Sequence, residues 1–88
     1  MKFEYDPNKS RANKLKHGMD FEEARALWDD ERALMIAVNR PGEPRHIVIG
    51  KIGERHWTAV ITFRGENTRI ISVRRSRTTE KTLYENHE

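Results

Sequence analysis

The chain reads as one strand, two helices, four strands and a final helix, an order that predicts an α+β fold on an antiparallel sheet. Three observations carry that expectation. Cap signals bracket two helices before residue 30. Residues 45–52, 56–63 and 68–75 are rich in strand formers and separated by short glycine-containing turns, the pattern of an antiparallel meander. Residues 78–86 then read as a terminal helix with Leu83 and Tyr84 as its docking residues.

Each element has a local reason. Residues 2–5 make a short strand with Phe3 and Tyr5 on one face. Asp6 offers an N-cap acceptor, Pro7 takes the first helical position and Gly18 ends the helix. Lys14, Lys16 and His17 suit the negative end of its dipole. Its only apolar residues are Ala12 and Leu15, so a thin buried stripe is expected. Asp20 caps a second helix with Glu23 at capping-box spacing, and Phe21, Ala24, Leu27 and Trp28 recur at helical spacing up to Asp29 and Asp30. Residues 34–38 are an apolar strand, and Pro41 and Pro44 mark residues 39–44 as a loop. A two-residue turn at Gly53-Glu54 places Ile47, Ile49, Thr58 and Val60 on one face. A second such turn at Gly65-Glu66 adds Ile71 and Val73 to them and gathers Val48, Trp57, Ile61, Phe63, Ile70 and Arg74 opposite. A one-residue slip would exchange the two sets. The first two helices are expected to cover one face and to leave the other, bordered by the last helix, as a partly open groove.

Eighty-eight residues make one small domain, residues 1–88, with 35% hydrophobic and 35% charged residues. There is no cysteine, which excludes a disulfide framework and thiolate metal sites. No basic segment leads into an apolar run, and no apolar stretch approaches the roughly 20 residues of a membrane span. The expectation is a soluble cytoplasmic protein without membrane contact.

Function is most visible in residues 63–77, where Arg64, Arg69, Arg74, Arg75 and Arg77 face one acid, Glu66. Arginines on a strand are rigidly spaced forks that pair with phosphate bidentately. A charged strand edge that blocks aggregation is the plainer reading of any one of them; five together favour a polyanion. Residues 1–44 hold 8 Lys and Arg against 9 Asp and Glu, whereas residues 45–88 hold 9 against 5, so the basic field belongs to the strands. No phosphate loop, nucleophile elbow or HExxH pattern occurs, so neither metal nor cofactor is expected. RNA supplies its own nucleophile, the 2′-hydroxyl, and asks a protein only for a base, an acid and cations. Arg64 and Arg74 are the candidate charge stabilisers, and Glu43 or His46 the candidate proton carriers, with Glu54, His56 and Tyr84 as further choices. Arg45, Arg69, Arg75 and Lys51 are candidate RNA ligands. Trp57 is a base-stacking candidate, although core packing explains it better. A basic module that holds RNA or a ribosomal surface without cutting it needs the same arginines, and docking of an acidic protein segment is a third possibility.

Several blocks resemble the BrnT family, the toxin half of type II toxin–antitoxin pairs: Tyr5-Asp6-Pro7-Asn8-Lys9, Asn13, Lys16-His17-Gly18 and Phe21-Glu22-Glu23-Ala24, then Asp29-Asp30, Glu43-Pro44-Arg45, Ile49-Gly50, Phe63-Arg64, Arg69 to Arg74, Glu80 and Tyr84-Glu85. Departures are small: Tyr5 stands where the family often has tryptophan or phenylalanine, and Val73 and Ser76 where it often has alanine. The resemblance implies a RelE-like fold and a metal-independent endoribonuclease that inhibits translation. It also implies neutralisation by a BrnA-like ribbon-helix-helix antitoxin, operator DNA binding only through that complex, and a homodimer or two-plus-two heterocomplex. An acidic or amphipathic antitoxin segment is expected to cover the surface of Arg64 and Arg74, with Trp57 or Leu83 as apolar anchors.

Overall fold

A computed structural model describes residues 1–39 and 41–87; Arg40, in the expected loop, lies outside them. The strands are β1 (Lys2–Glu4), β2 (Leu34–Val38), β3 (Arg45–Ile52), β4 (Arg55–Arg64) and β5 (Asn67–Arg75). The helices are α1 (Pro7–His17), α2 (Phe21–Ala24), which tightens into a 3-10 helix over Arg25–Asp29, and α3 (Thr78–Asn86). The five strands form one sheet in the order β1-β5-β4-β3-β2.

The cap signals act as the residue types require. The Asp6 carboxylate accepts from the Asn8 N–H, Pro7 opens α1, and Gly18 closes it with φ at 84°. Asp20 and Glu23 form a reciprocal capping box. The expected regular second helix is instead mostly 3-10. Phe21, Ala24 and Leu27 recur every third residue, and three residues per turn keeps all three in line on the core, at 1%, 0% and 0% exposure.

Two corrections concern the sheet. It is mixed rather than antiparallel, because β1 lies parallel to β5 with Phe3 opposite Thr68. The chain reaches β5 only after crossing through the helices and three other strands, so the first and last strands meet in the same direction. The second correction is register. Both hairpins have two-residue turns opened by a glycine at positive φ, Gly53 and Gly65. Ile47, Ile49, Thr58 and Val60 share a face as expected. Between β4 and β5, however, Ile61 opposes Ile70 while Val60 opposes Ser72, so Ile71 is an extra, bulged residue. The bulge turns Val73 in beside Ala59 and Val48, and turns Arg74 out beside Thr58.

One face therefore carries the apolar core: Met19, Phe21, Ala24 and Leu27 from the helical layer against Val48, Trp57, Ala59, Ile61, Ile70 and Val73. The opposite face is bordered at one end by α3 and open at the other. Here α1 departs from expectation. Leu15 is 90% exposed, and the buried residues of the helix are polar, Ser10 and Asn13. Ser10 Oγ accepts the Phe21 N–H at 2.8 Å. The Asn13 amide donates to the Met19 and Val73 carbonyls at 2.7 and 2.9 Å and accepts the Val73 N–H at 3.2 Å. Since β1 pairs only with Asn67, Thr68 and Arg69 of β5, Asn13 stands in for a strand beyond them. Replacing Asn13 by Ala orphans three buried backbone groups and is expected to destabilise the fold by about 1–3 kcal/mol in denaturant melts. A change inside about 0.5 kcal/mol would mean that β5 does not depend on this amide.

Candidate nucleic-acid interface

The open face holds two basic groups at opposite ends. Near the β4–β5 turn, Arg45, Arg64 and Arg69 extend from three adjacent strands, and Thr62 between them donates to the Pro44 carbonyl at 2.7 Å. Arg69 reaches Glu4 on β1 at 2.8 Å, and Asn67 reaches the other oxygen of the same carboxylate at 3.1 Å. The Asn67 amide and the Arg69 guanidinium hold the Glu4 carboxyl below its usual range. Arg64 meets Glu43 at 3.5 Å, and both side chains are about half exposed, at 53% and 47%. A pair that loose and wet stabilises little, and an incoming phosphate can replace it.

The other end is tighter. Arg74, opposite Thr58, grips both oxygens of Glu80 at 2.7 and 2.8 Å. Glu80 also accepts from the Arg77 N–H at 2.8 Å and the Thr58 hydroxyl at 3.1 Å. The Arg74 guanidinium, aided by those donors against partial burial, holds the Glu80 carboxyl down at about 2. Beside it, His56 Nε2 lies 2.6 Å from Glu85, and its ring is edge-on to Tyr84 with centroids 5.3 Å apart. The Tyr84 hydroxyl donates to Asp30 at 2.7 Å, and burial followed by that carboxylate pushes the phenol up to about 12. Tyr84 thus stays protonated and ties α3 to Asp30 at the end of the 3-10 helix, a carboxylate that also accepts the Lys51 N–H of β3 at 2.8 Å.

This geometry separates residues that the sequence grouped. Arg74 opposes Thr58, six residues along β4 from Arg64, which is about 20 Å of strand. The two arginines cannot hold one phosphate. Glu43, Arg45 and Arg69 belong to the Arg64 end, and Lys51 to the Arg74 end. His46, Trp57 and Arg75 fall on the helix-covered side of the sheet by their register. His46 lies edge-on to Phe63 at 5.2 Å, with a buried Nδ1 that has no hydrogen-bond partner among the described residues. Trp57, 6% exposed, packs in the core, and the Arg75 guanidinium sits 5.5 Å from its ring centre. The His56–Glu85 contact spans 29 residues of sequence and leaves no spacing signal; only its histidine stands out from sequence, as a proton-transfer choice. Among the described residues, no group of three or more His, Cys, Asp or Glu is placed to hold a metal ion. No described helix is long and apolar enough to cross a membrane.

With this surface in view, comparison with known families is informative. A family model described as the ribonuclease toxin, BrnT, of type II toxin–antitoxin systems matches residues 5–80, from α1 through β5 into the start of α3. Among curated proteins, none matches the chain.

The Arg74–Glu80 pair gives a pH dependence with a defined sign. A carboxyl whose folded value is depressed from 4.5 to about 2 contributes stability that is fully present above about 4.5 and lost as pH falls through 2. The shift corresponds to on the order of 3 kcal/mol. Denaturant melts across that range should show wild type converging on Glu80→Gln as the pH drops. A gap between the two proteins that stays constant down to pH 2 would show that Glu80 is not clamped.

Proposed function

The chain belongs to the BrnT family of ribonuclease toxins of type II toxin–antitoxin systems, and we propose that it is a metal-independent endoribonuclease with a RelE-like fold, acting in the cytoplasm to inhibit translation. The observation that carries the site is the group of Arg45, Arg64 and Arg69 on three adjacent strands of the open face, with Glu43 of the β2–β3 connection against Arg64: three cations and a base. Glu43 takes the proton of an RNA 2′-hydroxyl. The 2′-oxygen attacks the adjacent phosphorus, the bond to the 5′-oxygen breaks, and water protonates the leaving oxygen. The products are a 2′,3′-cyclic phosphate and a 5′-hydroxyl. Arg64, with Arg45 and Arg69, stabilises the charge on the pentacoordinate phosphorus, where a guanidinium fork matches two oxygens at once. Arg74 holds α3 in place through Glu80, and Lys51 extends the basic track toward that end.

A second reading rests on the His56–Glu85 pair. A carboxylate-held imidazole beside Arg74 is also a base and a cation, and it would move the cut to the α3 end. A binding module without cleavage is the remaining alternative. Neutralisation follows from the same surface: a BrnA-like ribbon-helix-helix antitoxin, in a two-plus-two complex that contacts operator DNA through the antitoxin, covers the Arg64 end. Leu83, 49% exposed, remains available as an apolar anchor; Trp57, buried in the core, does not.

In an assay with labelled RNA, Arg64→Ala should lower kcat by about 10²–10³-fold, the scale of losing one preorganised charge stabiliser. Its melting curve should match wild type, and His56→Gln should cut normally. The reverse pattern would place the reaction at His56. Cleavage should persist in excess chelator; its loss there would overturn the metal-independent mechanism. Gel retardation without fragments would establish the binding module instead.

A further inference from the structure

Three strand arginines are committed to carboxylates: Arg64 to Glu43, Arg69 to Glu4 and Arg74 to Glu80. Besides Arg45 and Lys51 on the open face, a second group of uncommitted positive charge lies on α1. The eleven residues of α1 include Lys9, Arg11, Lys14, Lys16 and His17 and no acid. Lys14 is paired with Glu23 at 2.8 Å, and Arg11 bonds the Asn8 side chain. Lys9 and Lys16 are exposed and form no ion pair among the described residues. They are seven residues apart, two turns along one side of the helix and about 10 Å from each other.

Between α1 and β5 runs a shallow cleft of about 240 Å³ whose lining includes Lys9, Asn13, Lys16, His17, Ile71 and Ser72 and no carboxylate. Its sheet-side wall is the bulge. Ser72 opposes Val60, so by register it belongs to the open face, while Asn13 fills the strand edge next to it. The cleft therefore starts where the open face ends and leads around the edge of the sheet to the two lysines.

We propose that this cleft is a second phosphate-binding surface, over which a single-stranded RNA leaves the open face, with Lys9 and Lys16 each neutralising a backbone phosphate and His17 beside them. The inference rests on the reading that the open face binds RNA. Compact ammonium charges on flexible stems follow a backbone without reading sequence, which suits an exit track rather than a reaction centre. RNA fits better than an acidic peptide because the cleft is continuous with the face that carries Arg45, Arg64 and Arg69, and because its apolar lining gives a peptide little foothold: Ala12 is short, Phe21 is 1% exposed and Ile71 is half-buried.

The test compares wild type, Lys9→Gln/Lys16→Gln and Lys9→Arg/Lys16→Arg. The probes are a long unstructured RNA and a short fragment that spans only the scissile step, each 2′-deoxy at the cut for binding and unmodified for cleavage. The glutamine pair should bind the long RNA about tenfold more weakly. Its log-affinity against log-salt slope should be shallower by about 1.4, two single-strand phosphate contacts. KM for the long RNA should rise while kcat and the short-fragment constants hold, and the arginine pair should restore binding. Unchanged long-RNA affinity and slope in the glutamine pair would overturn the inference. So would a loss of antitoxin affinity with RNA binding intact, which would assign the surface to a protein partner. Wild type that fails to bind RNA at all would overturn the underlying reading, a result distinguishable because it appears before any substitution.

Discussion

One residue too many in β5 determines what each side of this protein is for. The sheet alternates side chains with a period of two, so the bulge at Ile71 reverses the facing of everything after it. Without it, Val73 would lie on the opposite face beside Thr58, and Arg74 would point at the helices. With it, Val73 is fully buried in the core and Arg74 stands on the open face with Thr58. A bulged strand with an unpaired edge is open to slippage, and Asn13 secures it, binding both backbone groups of Val73 just past the extra residue. That amide also holds α1, whose buried side offers the core almost no apolar area. The register beyond the bulge, the attachment of the first helix and the outward facing of Arg74 thus share one polar contact between residues 60 positions apart.

The electrostatics follow from that arrangement. A strand of guanidiniums with nothing opposite would repel itself and destabilise the sheet. Here three outward arginines each have a carboxylate from another element, Glu4 from β1 for Arg69, Glu43 from the β2–β3 connection for Arg64 and Glu80 from α3 for Arg74, while Arg45 has none among the described residues. The partners differ in strength. Glu80 is bidentate and one-tenth exposed, a structural clamp, while Glu43 is distant and half exposed. The graded pairing separates arginines that hold the fold from those able to exchange a carboxylate for a phosphate. It also explains why the net positive charge of the second half of the chain overstates its free charge, and why an acid-free α1 in the nominally neutral first half matters.

Local signals proved readable from sequence. Asp6-Pro7, Gly18, Asp20-Glu23 and the two Gly-Glu turns involve only neighbouring residues, and each behaved as its chemistry dictates. Features set by distant contacts were not readable. Nothing near Ile71 announces an extra residue, since Ile70 and Ile71 are equally apolar, so the faces beyond it were assigned in reverse. The parallel β1–β5 pairing joins the two ends of the fold and has no turn to mark it. Asn13 and Ser10 look like solvent positions on a polar helix, yet they are its buried contacts. Arg64 and Arg74 sit in one arginine-rich run, and only the strand rise shows that they are about 20 Å apart. Trp57 alternates with strand residues and took its place in the core by register.

The central claim is that the open face of the sheet, which carries Arg45, Arg64 and Arg69, is where RNA binds. It is tested most directly by backbone amide NMR during titration with an RNA that carries 2′-deoxy at the cut and so cannot be cleaved. The account predicts that Arg45, Thr62, Arg64, Arg69 and Ser72 shift as RNA is added, while Phe21 to Leu27 on the covered side stay in place. Shifts confined to α2 and the 3-10 helix, with β4 and β5 silent, would contradict it.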